Sequence, residues 1–439
     1  MQRAIEAKDV EQRLVVLVLV SRLFRKARAA QGVLWPPTKD LDMIEEVEFV
    51  VIGAGPAGAT AAREAARSGI ETVVLEKDGV VGAKRVCAAG LRPGFCETFD
   101  LPRELVHCDT PRLALFDAGG CEHEVFFGPG HTTTREELDG EIARFAAREG
   151  AQIRTHALWR SCRADGRSTI VEYADQRQDE RRLIRARNVL FAQGATARLD
   201  DRLRDVRWRD GLMTTLQYRV YLDGPAHPIA YRTLELHYYQ ARDGRQVVAW
   251  MFPKRDHLAI GLGVLGKLGG GRLREELDAF ETRTRARLYP AVRVIDVKEE
   301  GHLLFGGWPR ARVSAGSTMV AGTAAGLVDA TNGEGIYEAA MSGRLAAAAI
   351  GEFRNDPARA AFEYGTRLRA RFQRRLEHRV RLMRYLERRP ARYGMLFQQL
   401  AASTRFSGAL SKEDHERSPL DRLVLAVHAL RFATRASFA

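Results

Sequence analysis

The sequence predicts an α/β fold that carries an inserted antiparallel sheet and ends in a helical C-terminal segment. Three observations support this expectation. A β-branched strand runs into a glycine turn, a small-residue helix and a second strand between residues 48 and 76. An aromatic, β-rich stretch follows later, from about residue 212 to 264. A second glycine-rich loop then opens a helix after residue 322, and beyond residue 353 apolar residues recur at helical spacing.

Glu48-Phe49-Val50-Val51-Ile52 is the kind of short apolar run that a buried parallel strand requires. It enters Gly53-Ala54-Gly55-Pro56-Ala57-Gly58 directly, and a helix is predicted from Ala59 to about Ser68. Ala61, Ala62, Ala65 and Ala66 suit close packing, and Gly69 ends the helix. The second strand, Thr72-Val73-Val74-Leu75, finishes at Glu76, with Lys77 beside it. In this context Gly53 permits the tight turn, Gly55 lets the backbone approach a pyrophosphate, and Gly58 permits close strand–helix packing. Amide donors at the helix start favour an anionic phosphate, and Pro56 and Ala57 belong to the turn that leads into it. Glu76, about 20 residues after the turn, suits the two hydroxyls of a ribose and disfavours a 2′-phosphate. The unit is a Rossmann-type dinucleotide-binding fingerprint, and by itself it leaves NAD and FAD both open.

Further along, Arg135 to Glu149 reads as a helix and Ala186 to Ala192 as a strand. Thr214–Leu222, Leu234–Tyr239, Gln246–Phe252 and Leu258–Val264 read as strands of an antiparallel sheet, separated by Asp-Gly, Gly and Pro signals. Strand Thr318–Ala321 then returns to the first domain, followed by the glycine-rich loop and a helix through Met341 and Leu345. The expected organisation is an N-terminal extension over 1–45 and a dinucleotide domain in two parts, 46–210 and 301–352. The inserted sheet occupies 211–300, and a basic helical segment occupies 353–439.

The chain has 439 residues, 45% of them hydrophobic, enough for two or three domains. With 28% charged residues and no low-complexity tract, it does not read as disordered. The formal net charge is +13, and from Gly351 to Ala439 there are 19 Lys/Arg against 9 Asp/Glu, so most of the surplus lies in the last segment. There Leu368, Phe372, Leu376, Val380 and Met383 recur every three or four positions between arginines. Two readings stand for this stripe: a face packed on the dinucleotide domain, or contact with anionic lipid head groups. No recognition module accompanies the charge, so nucleic acid is not the expected partner. Cys87, Cys96, Cys108, Cys121 and Cys162 form no CxxC pair, which argues against a disulfide framework or a metal site and fits a reducing cytosol. The longest apolar run, Leu14 to Val20, is too short to span a bilayer and is followed by Arg22, Arg25, Lys26 and Arg28 rather than a cleavage site. Met43, just before the first strand, leaves residues 1–42 as either an overlong start or a real extension.

Val320-Ala321-Gly322-Thr323-Ala324-Ala325-Gly326 is followed by Asn332-Gly333-Glu334-Gly335-Ile336. With these segments the sequence resembles the geranylgeranyl reductase family of FAD-dependent oxidoreductases, part of a wider group of hydroxylase-like flavoproteins. Lys84-Arg85-Val86-Cys87-Ala88-Ala89-Gly90-Leu91 is similar to that family's lysine–cysteine–glycine segment near the flavin. Thr134-Arg135-Glu136-Glu137-Leu138-Asp139 resembles its helix start, and Ala249-Trp250-Met251-Phe252-Pro253-Lys254 its W-x-F-P-K strand. The resemblance runs from about residue 47 to 350 with every motif in order. It implies FAD as the cofactor, held by Gly322, Thr323, Gly326, Gly333, Glu334, Gly335 and Ile336, with Lys84, Cys87, Arg135 and Gly194 near it. Thr323 stands where the family usually carries aspartate, and its uncharged hydroxyl accepts a bond worth about 1–2 kcal/mol less. Gln193, in Ala192-Gln193-Gly194, also replaces a common aspartate, and Val248 replaces an aromatic.

Trp250 and Phe252 fall on one strand face by their two-residue spacing. They are either an apolar wall for a prenyl chain or ordinary core aromatics. Cys87 is either a packed thiol or a polar group that assists protonation of an alkene, and Lys84 lowers its pKa where the two side chains meet. The resemblance implies reduction of carbon–carbon double bonds in a prenyl chain on a lipid, quinone or tetrapyrrole. NADPH or a reduced ferredoxin-like donor would act as transient reductant. The expected location is the cytoplasm, with peripheral contact at the inner face of the cytoplasmic membrane through the basic C-terminal helices. The alternatives are a flavin monooxygenase acting on an apolar or aromatic substrate, and a non-catalytic flavin- or lipid-binding protein.

Overall fold

Phe49, Val50, Val51 and Ile52 are each 2% exposed or less, so the first strand, Glu45–Ile52, is covered on both faces. That burial is why a continuous apolar run, without alternation, forms the middle of a parallel sheet. The strand pairs in parallel with Thr72–Leu75, which pairs in parallel with Gln152–Arg154. Between the first two strands the helix Pro56–Arg67 crosses over, with Pro56 at its first position, where no amide hydrogen is needed. Its alanines allow the helix Ile336–Glu352 to lie almost in backbone contact, since a Cβ on Gly343 would stand 2.1 Å from the Ala57 carbonyl oxygen. The eight-stranded sheet runs in the order Ser314–Ala315, Thr318–Val320, Glu180–Phe191, Glu45–Ile52, Thr72–Leu75, Gln152–Arg154. Ala157–Asp165 and Ser168–Asp175 join it antiparallel beside Glu180–Phe191.

The computed structural model describes residues 44–83, 87–197, 199, 203, 211–265, 270–413 and 416–438. Residues 1–43 of the expected extension, and Lys84, lie outside the described residues.

The second sheet has seven strands, in the order Val294–Phe305, Leu212–Leu222, Leu258–Leu265, Gln246–Pro253, Thr233–Gln240, Arg112–Phe116 and Glu122–Val125. All neighbours are antiparallel except Thr233–Gln240 with Arg112–Phe116. The last two strands come from well before the inserted stretch, and Val294–Phe305 runs past residue 300 along an exposed, charged edge. One face, with Val247, Ala249 and Met251, packs under the helix Gly270–Leu288. The other, with Trp250 and Phe252, packs against the C-terminal helices through Leu386, Tyr393, Phe397, Leu400 and Phe406. A small third sheet joins Gly90–Leu91, Gly130–Thr132 and Cys108–Thr110.

After Pro357–Leu368 the chain passes through one wide turn at Arg369–Gln373 into Arg374–Glu387, then Arg392–Ala401, Thr404–Ser411 and Pro419–Phe438. The stripe Leu368, Phe372, Leu376, Val380 and Met383 faces inward, none of its members more than 6% exposed. Its arginines are partly turned inward too. Arg375 and Arg92 both donate to the buried Glu338 carboxylate, at 2.6 and 2.9 Å. Arg379 pairs with the buried Asp329 at 3.1 Å, and Arg371 with the buried Glu413 at 2.6 Å. No helix among the described residues is long and apolar enough to cross a membrane.

Removing Glu338 would leave two guanidinium groups buried without their shared counter-charge. Glu338→Ala is expected to cost about 3–5 kcal/mol of stability, measured by chemical unfolding; a loss under about 1 kcal/mol would show that water or a shifted side chain replaces the carboxylate.

Candidate functional site

The glycine turn is fixed by close backbone contacts. Gly53 has φ +101, a region favouring glycine, and a Cβ there would meet the Ala192 carbonyl oxygen at 2.7 Å. A Cβ on Gly58 would stand 1.9 Å from the Gly53 carbonyl oxygen, so this position admits only glycine. Gly55 caps the helix that starts at Pro56, leaving the amides of Ala57 and Gly58 in the first turn without intrahelical acceptors. At the end of the second strand the Glu76 carboxylate accepts the Ala54 amide at 2.8 Å and the Asp78 amide at 3.0 Å. Each oxygen is thereby aimed by one backbone donor and keeps lone pairs for further partners. Lys77 is not gathered into this turn: it is exposed and pairs with Asp78 at 3.1 Å.

Arg135 stands over the turn, its Nη2 lying 3.4 Å from where a Gly55 Cβ would be. Its guanidinium donates to Asp139 from Nε at 2.9 Å and from Nη2 at 2.5 Å, and it also meets the Cys87 thiol. Burial opposes the charge on Arg135, but Asp139 overrides this and holds its pKa above the usual value. Cys87 leads into Ala88, whose carbonyl accepts the Lys254 ammonium at 2.5 Å. Lys254 is 1% exposed, and burial pushes its pKa down to about 7 against the opposing influence of Cys87 and Cys108. Phe252 presses on Gly90, where a Cβ would come within 2.6 Å of its ring. Trp250 lies across Gly261 and donates from Nε1 to Gln217 at 2.9 Å. Trp250, Phe252 and Lys254 thus follow one another at two-residue spacing, from the aromatic pair to the Cys87 segment.

The second glycine loop lies on the first. A Cβ on Gly322, at φ +59, would meet that of Ala57 at 3.1 Å, and the Gly322 amide donates to Ser342 Oγ at 3.0 Å. Gly326 closes the loop on the Thr323 carbonyl at 3.0 Å, and Thr323 itself is half-buried. Gly333 turns back to Asp329 at 2.8 Å, and Gly335 caps the helix that begins at Ile336. Glu334 accepts Arg92 Nε at 2.7 Å, so its carboxylate belongs to an ion pair. Arg92 also lies 4.0 Å over the Tyr337 ring and reaches Glu338, tying the Cys87–Leu91 segment to the Gly333–Ile336 turn. Gly194, at φ +72, follows Gln193, whose buried Oε1 has no hydrogen-bond partner.

Sequence reasoning therefore missed Arg92, Asp139, Lys254 and Glu338 as parts of the site. Only Asp139 and Lys254 had a local signal, being one helical turn from Arg135 and two residues beyond Phe252. The gathered residues fit FAD. Gly55 leaves a cradle that a side chain would close against Arg135, and the unpartnered Gln193 oxygen beside the turn suits a hydroxyl donor.

Two outcomes follow from this geometry. Glu76→Ala should weaken FAD binding by about tenfold or more, since it removes charge-assisted hydrogen bonds worth about 1.5–3 kcal/mol; flavin fluorescence titration measures it. The folded pKa of Lys254 lies below its ordinary 10.5, so between about pH 7 and 10.5 the unfolded chain binds the extra proton. Stability from this group rises with pH across that window and is flat below it. The difference in unfolding free energy between the parent protein and Lys254→Met should therefore grow by up to about 1.4 kcal/mol per pH unit above pH ~7.

The model of a family described as FAD dependent oxidoreductase matches residues 48–119. The chain is 27% identical over 320 residues to a geranylgeranyl diphosphate reductase of Synechocystis, covering 69% of this chain and 75% of that one. It is 26% identical over 328 residues to a digeranylgeranylglycerophospholipid reductase of Methanosarcina acetivorans, covering 70% and 75%. Among solved structures, a geranylgeranyl bacteriochlorophyll reductase-like protein of Thermoplasma acidophilum superposes with a TM-score of 0.65 at 21% identity, over 87% of this chain and 96% of that chain. The matched family spans the Gly53 turn and Glu76, and the reductases align over most of their length. The chain is an FAD-dependent oxidoreductase whose homologues include geranylgeranyl reductases.

Proposed function

We propose that the protein reduces carbon–carbon double bonds in a prenyl chain of geranylgeranyl type, carried by a lipid, quinone or tetrapyrrole. One observation carries this reading. The Trp250–Phe252 face joins the Cys87–Gly90 segment at one end and is covered by apolar side chains of the C-terminal helices, Leu382, Tyr385 and Leu396 among them. A long, featureless hydrocarbon needs such surroundings, because little but shape and dryness can hold it.

Reduced FAD, when bound, supplies the hydride for one alkene carbon. The chain's own residues bind, orient and exclude water. Gly53, Gly55, Pro56, Ala57 and Gly58 present the turn to the pyrophosphate, and Glu76 accepts the ribose diol. Gly194 and the loops Gly322, Thr323, Gly326 and Gly333, Gly335, Ile336 bring backbone amides to the cofactor, where fixed dipoles favour added negative charge. Glu334 serves by holding Arg92. Arg135 neutralises charge near the turn, and Cys87 offers a polar thiol to the reacting end of the chain. Lys254 holds a proton at Nζ near neutral pH and fixes the backbone next to Cys87. Trp250 and Phe252 keep the chain extended and dry. With one dinucleotide fingerprint in the sequence, NADPH or a ferredoxin-like donor would visit only transiently. The working location is the cytoplasm, peripheral to the inner face of the membrane through the basic C-terminal helices.

The test is anaerobic incubation of dithionite-reduced enzyme with geranylgeranyl diphosphate, geranylgeranylated lipid and geranylgeranylated tetrapyrrole, read by product mass. Hydrogenation of at least one is expected, and Trp250→Ala should lower the rate by about tenfold or more with flavin retained. If every substrate stays unreduced, the reading fails. Oxygen-dependent NAD(P)H consumption with a hydroxylated product would then favour the monooxygenase, and colourless protein that binds prenyl lipid a non-catalytic role.

A further inference from the structure

The last helix, Pro419–Phe438, is apolar on two sides. Val424, Leu425 and Phe432 turn inward, onto the cluster that contains Phe252 and Trp250, and the His428 ring stacks on Phe406 at 4.2 Å. The opposite side carries Leu420, Leu423, Val427 and Leu430, which are 50%, 59%, 39% and 67% exposed. Their spacing of three, four and three residues puts all four on one stripe. Of the other large exposed apolar residues among those described, Ile295 and Val297 pair on one strand, and Val80, Phe126, Ile229 and Phe362 stand apart in the sequence.

Charge decides what suits this stripe. At about 100° per residue, Arg431 falls about 20° past Leu420 on one side of the stripe, Arg435 about 60° past it toward the inner side, and Arg422 about 80° beyond Leu430 on the other side. The only acid of the helix, Asp421, is buried and held by Lys412 and Ser418 at 2.9 Å. The outward side therefore offers aliphatic side chains between guanidinium groups with no carboxylate among them. A soluble protein partner would need an apolar groove rimmed by acids. A bilayer with anionic lipids supplies both parts at once, acyl carbons for the leucines and phosphates for the arginines.

We propose that the outer face of Pro419–Phe438 docks the protein on anionic membrane surfaces, lying in the plane of the head groups. The stripe of Leu368–Met383 has no part in this, since it is buried. The inference rests on the prenyl-reductase reading only for its use: the inner face of the same helix borders the Trp250–Phe252 cluster, so docking would bring that compartment next to the lipid that carries the substrate.

Vesicle sedimentation tests it, with vesicles of phosphatidylcholine and phosphatidylglycerol compared with phosphatidylcholine alone. Binding to the anionic vesicles is expected, falling with salt and with omission of phosphatidylglycerol. The double variant Leu423→Asp, Leu430→Asp should lose at least tenfold in binding. It should keep its flavin and its dithionite-driven reduction of detergent-dispersed substrate, which also shows that it is folded. The triple variant Arg422→Gln, Arg431→Gln, Arg435→Gln should bind more weakly and with less salt dependence. The proposal is overturned if the parent protein ignores both vesicles, or if the double variant binds like the parent. It is equally overturned if the double variant instead converts a dimer to a monomer, which would make a second copy the occupant. Failure of the reductase assay with vesicle binding intact would overturn the substrate reading and leave the docking surface standing.

Discussion

Glu338 is a fully buried carboxylate between two guanidinium groups, and much of the site's geometry depends on that arrangement. Arg92 reaches it from the segment that follows Cys87, and Arg375 from a C-terminal helix. Burial raises the pKa of Glu338, while Arg92 and Arg375 act to keep it charged. Such a triad brings little net stability over well-packed apolar groups, since desolvation offsets most of the Coulombic gain. Its effect is geometric. Three stretches far apart in the chain must come to one point in one arrangement, because any other leaves a charge buried and unpaired. Glu334, Tyr337, Arg371 and Glu413 extend the network outward from that point.

The same network explains why the basic segment is not an appendage. Fifteen of the Lys/Arg residues after residue 350 precede Arg417, and of these Arg371, Arg375 and Arg379 are spent inward on Glu413, Glu338 and Asp329. With those arginines anchored, Leu386, Tyr393, Phe397 and Leu400 close over the Trp250–Phe252 face of the antiparallel sheet. The helices thus cover one face of the antiparallel sheet, whose other face is sealed by Gly270–Leu288. Exposure is left to the last helix.

What was legible in the sequence was local. The strand, glycine turn, helix and second strand from Glu45 to Leu75 can be read from residue order, because Gly53 and Gly58 answer contacts within their own unit or the end of the strand beside it. Glu76 was legible for the same reason, and so was the alternation that sets Trp250 and Phe252 on one face. Arg92 was not, since its partner Glu338 is 246 residues away and nothing near Arg92 marks it as buried. The strands Arg112–Phe116 and Glu122–Val125 were missed because they are short, and the second is largely polar where it faces solvent. The stripe at Leu368–Met383 had the correct period, but periodicity states only that one face is covered. It took packing to show that protein covers it.

Thr323 and Gln193 take on a different meaning once the charges around them are placed. The family that the sequence resembles usually carries carboxylates at both positions, and the hydroxyl and carboxamide here are two fewer negative charges around the two glycine loops. The cations nearby are already matched: Arg135 by Asp139, and Arg92 by Glu334 and Glu338. Lys254, a buried cation beside Cys87, has its pKa pushed down to about 7 by burial, so its demand for a counter-charge is reduced near neutral pH. Two further carboxylates would therefore add charge beside cations that, among the described residues, already have partners, and an unpaired buried charge is costly. A hydroxyl and a carboxamide can accept the same hydrogen bonds without that cost. The substitutions and the closed ion pairs thus form one consistent electrostatic arrangement, in which the weaker bond at Thr323 is compatible with a retained FAD site.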